Sequence, residues 1–481
     1  MKTLKGIENI RDSFKTRQVK YGGYAALITL AVIIGLILLN LMLGQFSPQV
    51  DLTENKLYSL SEQTVQVLET VKEPVKFYGL WRPGEEDTNV MDVINLYMSK
   101  NRNISLELID PDRNPGFVMR YDKERKGISR GSLIVEGGKG FKVIAPMDMY
   151  DLSQSQSGGS SVTGIAVERR ITSALLFAGT GVTPVVYELT GHSEIPLTAI
   201  GLQDTVEREN FVLQQLNLLL SDIPADASAI ILNNPLRDLA EAEAEKILNY
   251  LEKGGRFLTL VDYNIQELTN LNRVLESYGL EYNYGIVREI DPYYVAIDPR
   301  TEWPDLSTHD ITSPLADKTK TPVVLLEAMS LSLLETKRRS VEITPLMTSS
   351  PSAFLRTNLN DASAAKQPSD ISGPLLLGAA VTDPSWIQGN EPQARIGAIG
   401  SGSLLLLGVQ GFDANRDLFM NSLTWLQDRP ETISVRSKSL YLLPLRINLA
   451  QLIIFGSLFI LVIPLAFFTA GFVTWLKRRH L

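Results

Sequence analysis

Two uncharged apolar runs stand at opposite ends of the 481-residue chain, and they constrain its fold more than anything else in it. Residues 22–44, GGYAALITLAVIIGLILLNLMLG, carry no charged side chain, and neither do residues 447–476, INLAQLIIFGSLFILVIPLAFFTAGFVTWL. A helix of about 20 such residues crosses the hydrocarbon core of a bilayer. Both segments are therefore expected to span, the second with tilt. The first is longer than the apolar region of a secretory signal, and no small-x-small site follows it in QFSPQVDL, so it reads as an uncleaved anchor. Pro464, midway along the second, is expected to kink that helix.

Charge sets the sidedness. The basic tail 1–21 carries a net +4 and the tail 477–481 a further +3, which leaves −15 on the remainder of a chain whose total is −8. The positive-inside rule puts both ends in the cytoplasm and the acidic middle outside. Neither span contains Asp, Glu, Lys, Arg or His, so the two helices suit docking against another membrane protein and contact with lipid better than forming a pore. Gly456 and Ser457, with Gly22, Gly23, Ala25 and Ala26, offer small faces for close helix packing.

The outer region reads as two α/β domains, expected over 51–180 and 183–430. Ser59 with Glu62 fits a capping box. Then follow a strand at 75–81, a helix near 88–100, a strand at 104–110 and a hairpin around Gly137-Gly138. This order resembles a small thioredoxin-like layout, with WRPG where a redox protein would carry C-x-x-C. The Ser/Gly/Gln stretch 152–164 reads as a flexible loop, and 168–179 as a helix whose Arg169-Arg170 pair is a solvated start. In the larger domain, strands are expected at 183–191, 227–235 and 255–262. A helix is expected at 198–220 with Leu213, Leu216 and Leu220 on one face, and another is capped by Asp238 and ended by Gly254-Gly255. A helix at 267–278 follows. Strands alternating with helices imply a parallel sheet with right-handed crossovers. Residues 281–375 read as an elaborated insertion, after which strands return at 374–381, 394–400 and 403–409 and a helix at 415–428.

At this point the chain resembles the gliding-motility-type auxiliary subunits of ABC transporters, the GldG family. The likeness rests on DLTENKLYSLSEQT (51–64), LTGHSE (189–194), IPADASAIILNNP (223–235) with LEKGGRFLTLVD (251–262), NRDLFMNSLTWL (415–426) and WLKRRH (475–480). It implies an outer part like a class I glutamine amidotransferase without its chemistry, and partnership with a membrane permease and, through it, a cytoplasmic ATPase. One departure is GVQGFD (408–413), where relatives carry Gly-Asp-Ser; Asp413 would have to substitute.

His192 follows a parallel strand, and ligands in open α/β sheets collect at the carboxyl ends of strands. Asn233, Asn234 and Asp262 end two more strands, so the four residues are expected to line one crevice. Two readings stand side by side: a ligand pocket, or His192 and Glu194 fixing a loop. Catalysis is not expected. No cysteine exists, no G-x-S-x-G elbow occurs, and the serine of GSGS (400–403) is expected to lead into another strand. Three histidines, His192, His309 and His480, are too few for a multi-histidine metal site. GGKG (137–140) lacks the rest of a phosphate-binding loop, so no cofactor is expected, and the acidic balance argues against nucleic acid. The expected function is a non-catalytic accessory subunit of an ABC-type complex that binds or gates an unknown substrate. The alternative is a structural envelope scaffold.

Overall fold

A computed structural model describes residues 24, 27–38, 59–123, 125, 127–154, 160–263, 267–316, 322–358, 365–384, 393–409, 412–427, 438–439 and 449–479. The described residues divide into two units, those before residue 59 and those from Ser59 on. In the first, α1 (Leu27–Leu38) is a short apolar helix. The small residues expected to pack in that span, Gly22, Gly23, Ala25 and Ala26, lie outside the described residues, as does His480.

In the second unit, α2 (Glu62–Thr70) begins at Ser61, whose Oγ accepts from the Thr64 amide at 3.2 Å. The cap thus falls two residues beyond the expected Ser59. The strands β1 (Val75–Gly79), β2 (Ile104–Leu108), β3 (Leu133–Glu136) and β4 (Phe141–Ile144) form a sheet ordered β2-β1-β3-β4. β1 and β2 run parallel, joined by α3 (Thr88–Lys100), which Asp87 caps at the Asn89 and Val90 amides. β3 pairs antiparallel with β1 and forms the expected hairpin with β4. A short helix, α4 (Pro115–Tyr121), follows β2, and α5 (Val167–Thr180) closes this first lobe over β3 and β4. Its core gathers Phe77, Ile94, Tyr97, Leu133 and Ile171, all fully buried.

The stretch read as a flexible loop is instead largely a hairpin. β5 (Tyr150–Gln154) and β6 (Ser160–Ile165) pair antiparallel, and the Ala166 amide donates to the Met149 carbonyl at its open end. Serine and threonine are compatible with a strand once a partner strand satisfies the backbone.

The second lobe is built on a ten-stranded sheet. Its strands are β7 (Val185–Leu189), β8 (Val212–Leu216), β9 (Ala227–Asn233), β10 (Arg256–Leu260), β11 (Leu280–Asn283), β12 (Ser330–Leu333), β13 (Glu342–Thr348), β14 (Leu376–Asp383) and β15 (Ala394–Ile399), with Asp305–Leu306 paired to β13. The order is β11-β12-β14-β15-β10-β9-β7-β8, with β13 on β14. β15, β10, β9, β7 and β8 are parallel, and β14 turns the rest antiparallel. The sheet is mixed where a parallel one was expected, because β14, just after the insertion, runs against β15, and the insertion adds β12 and β13 antiparallel to β14.

Residues 198–220 depart furthest from expectation. They form α6 (Gln203–Arg208) and then the edge strand β8, so Leu213 and Leu216 belong to a strand. Residues 403–409 are also reassigned, from strand to α9 (Leu404–Val409). α7 (Glu241–Glu252), ended by Gly254 at φ +80°, and α8 (Thr269–Glu276) cover one face of the sheet. α6, α9 and α10 (Asp413–Leu426) cover the other. The alternation of β9 divides the cores cleanly: Ala229 and Ile231 face one, Ile230 and Leu232 the other. Asp238 does not cap its own helix. Its carboxylate accepts from the Asn270 and Leu271 amides and so holds the start of α8.

The chain continues to a two-residue strand, β16 (Lys438–Ser439), and then to a helix from Leu449 to Arg479, in which Ile453–Val473 is apolar, exposed and long enough to cross a membrane. Leu458–Val462 adopts a π turn immediately before Ile463 and Pro464. Such a turn absorbs the amide that proline cannot donate.

Candidate functional site

β7 ends at Leu189, and the next four residues turn sharply, with Gly191 at φ +126° and Ser193 at φ +64°. This brings Glu194 back over the turn. Its carboxylate accepts from the Gly191 amide at 3.1 Å and the His192 amide at 2.8 Å. The imidazole is gripped at both ends. Nδ1 lies 2.6 Å from Glu194 Oε1, and Nε2 lies 2.9 Å from Glu243 Oε2. Glu243 sits in the first turn of α7, where the same oxygen accepts from the Ala240 amide. The His192 carbonyl accepts from the Leu236 and Arg237 amides of the loop after β9.

Burial opposes the imidazolium, but the two carboxylates outweigh it and raise the pKa to about 9. At neutral pH both ring nitrogens are donors, so no lone pair is left to bind a metal or accept a proton. Beneath this turn, Glu188 accepts from the Leu197 amide at 2.7 Å, and burial pushes its pKa to about 7.

Asp262 organises a separate cluster. It bonds Asn234, with Asn234 Nδ2 donating to Oδ2 at 2.9 Å and the Asp262 amide donating to Asn234 Oδ1 at 3.1 Å. Oδ1 also accepts from the amides of Gly402 at 2.7 Å and Ser403 at 2.9 Å, and the Ser403 hydroxyl donates to Oδ2. The carboxylate thus holds the turn between β15 and α9. Burial raises its pKa, against the opposing pull of the Ser403 and Gly402 bonds. Asn234 takes φ +50°, and a β-carbon on Gly402 would stand 2.5 Å from its Cβ, so this turn needs glycine there.

The four strand-end residues are therefore divided. Asn234 and Asp262 bond each other, His192 bonds Glu194 and Glu243, and Asn233 Nδ2 donates to the Ile195 carbonyl at 3.2 Å. Ser403, set aside on the expectation of a following strand, lies at a strand-to-helix turn after all. Its carboxylate neighbour is Asp262, whereas His192 is occupied by Glu194 and Glu243.

A third constellation was missed altogether. Of Arg169 and Arg170, both read as solvated, Arg169 enters a cleft between the two lobes and Arg170 pairs beside it. Arg170 Nη1 lies 2.8 Å from Glu209 Oε1. Arg169 faces Asp151 at 3.5 Å and Asp417 at 3.7 Å, and its buried Nε stands 3.5 Å from Glu209 Oε1. Lys142 reaches across to the Arg208 carbonyl at 2.9 Å and to Asn210, and burial lowers its pKa to about 8. With its open mouth the cleft holds about 800 Å³, walled by Arg169, Glu209, Arg416 and Asp417 with Leu176 and Phe211. Asp413, the substitute considered for an acidic position, is the first residue of α10 and pairs with Arg416 at 3.0 Å.

Residues 183–423, which carry the sheet and both of its strand-end clusters, match the family described as ABC-type uncharacterized transport system. The chain belongs to this family of transport auxiliary components. The protein is accordingly an accessory component of an ABC-type transport system, with an apolar C-terminal helix that fits a membrane anchor. Residues 54–149 match a domain of unknown function. No curated protein sequence matches the chain. Among solved structures it is similar to the mmIFT52 N-terminal domain, at 17% identity over 50% of this chain and 97% of that one, with a TM-score of 0.37. It is also similar to a ThuA-like protein from Parabacteroides merdae ATCC 43184 (12% identity, 51% and 90% coverage, TM-score 0.28) and to the exo-beta-1,4-mannosidase Op5Man5 from Opitutaceae bacterium strain TAV5 (9%, 72% and 49%, 0.27).

Proposed function

We propose that the protein is a non-catalytic subunit of a gliding-motility-type ABC complex, anchored by two membrane helices with both ends in the cytoplasm. Its outer domains, a thioredoxin-like one over 51–180 and an amidotransferase-like one over 183–430, gate or bind the transported substrate. The family match over 183–423, on a chain that ends in an apolar helix, carries the reading. Two observations support catalytic inertness: both ring nitrogens of His192 are engaged by carboxylates, and Asp262 is engaged in holding a turn. In this reading His192 and Glu194 fix the loop after β7. Gly456, where an added β-carbon would meet nothing within 4 Å, and Ser457 face the permease in the bilayer. Coupling to the ATPase then passes through the permease.

Purification from native membranes in mild detergent is expected to bring a permease and an ATPase with the protein. Replacing Gly456 and Ser457 with leucine should weaken that association while the outer lobes stay folded. Recovery as a lone protein at every detergent concentration would instead support an envelope scaffold. The Ser403–Asp262 contact favours a second reading, a hydrolase without histidine. Covalent labelling of Ser403 by a fluorophosphonate would support it, and an unlabelled protein would remove it.

A further inference from the structure

The strand that completes the β5–β6 sheet comes from the far end of the chain. β16 pairs antiparallel with β6, Lys438 opposite Ile165 and Ser439 opposite Gly164, so the order is β16-β6-β5. The polypeptide reaches this strand after leaving α10 of the second lobe, yet it pairs with the first. The membrane helix begins at Leu449, ten residues beyond Ser439, which is at most about 36 Å of chain.

The other side of the same hairpin leads to the cleft. β6 is followed, after Ala166, by α5, which carries Arg169 and Arg170. At the start of β5, Asp151 faces Arg169 at 3.5 Å, and Arg169 faces Glu209 and Asp417 of the second lobe. The hairpin therefore touches the juxtamembrane segment on one edge and feeds the interlobe ion pairs from its open end.

We propose that β16 is a tie that couples the C-terminal membrane helix to the first lobe, so that a displacement of the helix in the bilayer is passed through the β5–β6 hairpin to the cleft. This goes beyond the transport reading and needs only that the helix lie in a membrane. A contact two residues long opens far more readily than the buried strands of either lobe. Such a catch has two arrangements that a partner in the membrane can bias.

The absence of cysteine makes the test clean. Directly opposed antiparallel residues have α-carbons about 4.5–5.5 Å apart, inside the range a disulfide spans. Full-length protein carrying Gly164→Cys and Ser439→Cys, in membranes under mild oxidation, should form an intramolecular disulfide, identified from the linked peptides. A control pair of Glu276→Cys, exposed at the end of α8 on the other face of the large sheet, with Ser439→Cys should stay reduced. As an arm independent of those variants, Lys438→Pro with Ser439→Pro removes both strand amides. Hydrogen exchange across 150–165 and 167–180 should then rise several-fold, with β9 and β10 unchanged. Equal cross-linking of the control pair, or unchanged exchange in the hairpin and α5, overturns the proposal.

Discussion

Replacing His192 with glutamine tests the carboxylate grip quantitatively, because the stabilisation it supplies is tied to a proton. The imidazole is 3% exposed, and its pKa rises from 6.5 to about 9 in the folded chain. At about 1.4 kcal/mol for each tenfold gain in proton affinity, that difference amounts to about 3 kcal/mol. A raised base pKa stabilises in one direction only. The contribution is complete below pH 6.5, where the unfolded imidazole is also charged, shrinks as pH rises, and is gone once pH passes about 9. Glutamine keeps one donor but no charge, so the gap between wild-type and His192→Gln should be widest near pH 6 and close toward pH 9.5. Spread over both lobes in one cooperative transition, about 3 kcal/mol corresponds to roughly 4 °C in melting temperature. Thermal melts of full-length protein in detergent at half-unit steps from pH 6 to 10 give the curve. Other titrating groups cancel in the difference. Only three histidines exist, so the His192 ring can also be followed directly by NMR. A gap that stays constant from pH 6 to 10, or a ring that titrates near 6.5, would refute the grip.

Three more outcomes follow from buried charge. Glu302 is buried with Oε2 unpaired among the described residues, and burial and the neighbouring Glu289 raise its pKa to about 8. Because its acid form is favoured in the fold, stability is lost as pH rises from about 4.5 to 8, and Glu302→Gln should flatten that slope in denaturant titrations. Arg170→Ala leaves Glu209 with only its longer pairing to Arg169 and should cost about 1–3 kcal/mol. We expect it to split one thermal transition into two as the lobes uncouple, visible by calorimetry. Asp262→Ala leaves the Gly402 and Ser403 amides and Asn234 unpaired; a loss of about 2–3 kcal/mol is expected, with hydrogen exchange rising first at 402–407.

The legible parts of the chain were those whose pattern is local. β9 and β10 announce themselves as apolar runs bounded by turn residues, and α7 by its acidic first turn and terminal glycines. The segment 198–220 misled because leucines at 213, 216 and 220 copy a helical spacing, whereas an edge strand with one half-open face shows only a weak alternation. Four consecutive leucines in α9 have neither period, since the helix is buried nearly all round. The sites divide in the same way. His192 and Glu194 are two residues apart and were read together, but Glu243 lies 51 residues on and was not. Arg169 and Arg170 looked solvated because Glu209 and Asp417 meet them only in the folded protein.

The pairing of β16 with β6 has a consequence for biosynthesis. About 270 residues separate the two strands, and the whole second lobe is made in between. At about 5–20 residues per second, the first lobe waits tens of seconds on the ribosome with one edge of β6 open. An open edge is a template for foreign strands. The serine- and glycine-rich composition of the hairpin, which supplies little apolar surface, makes that edge a poor one for aggregation during the wait. The nascent chain can therefore hold that edge open until Lys438 and Ser439 emerge to close it.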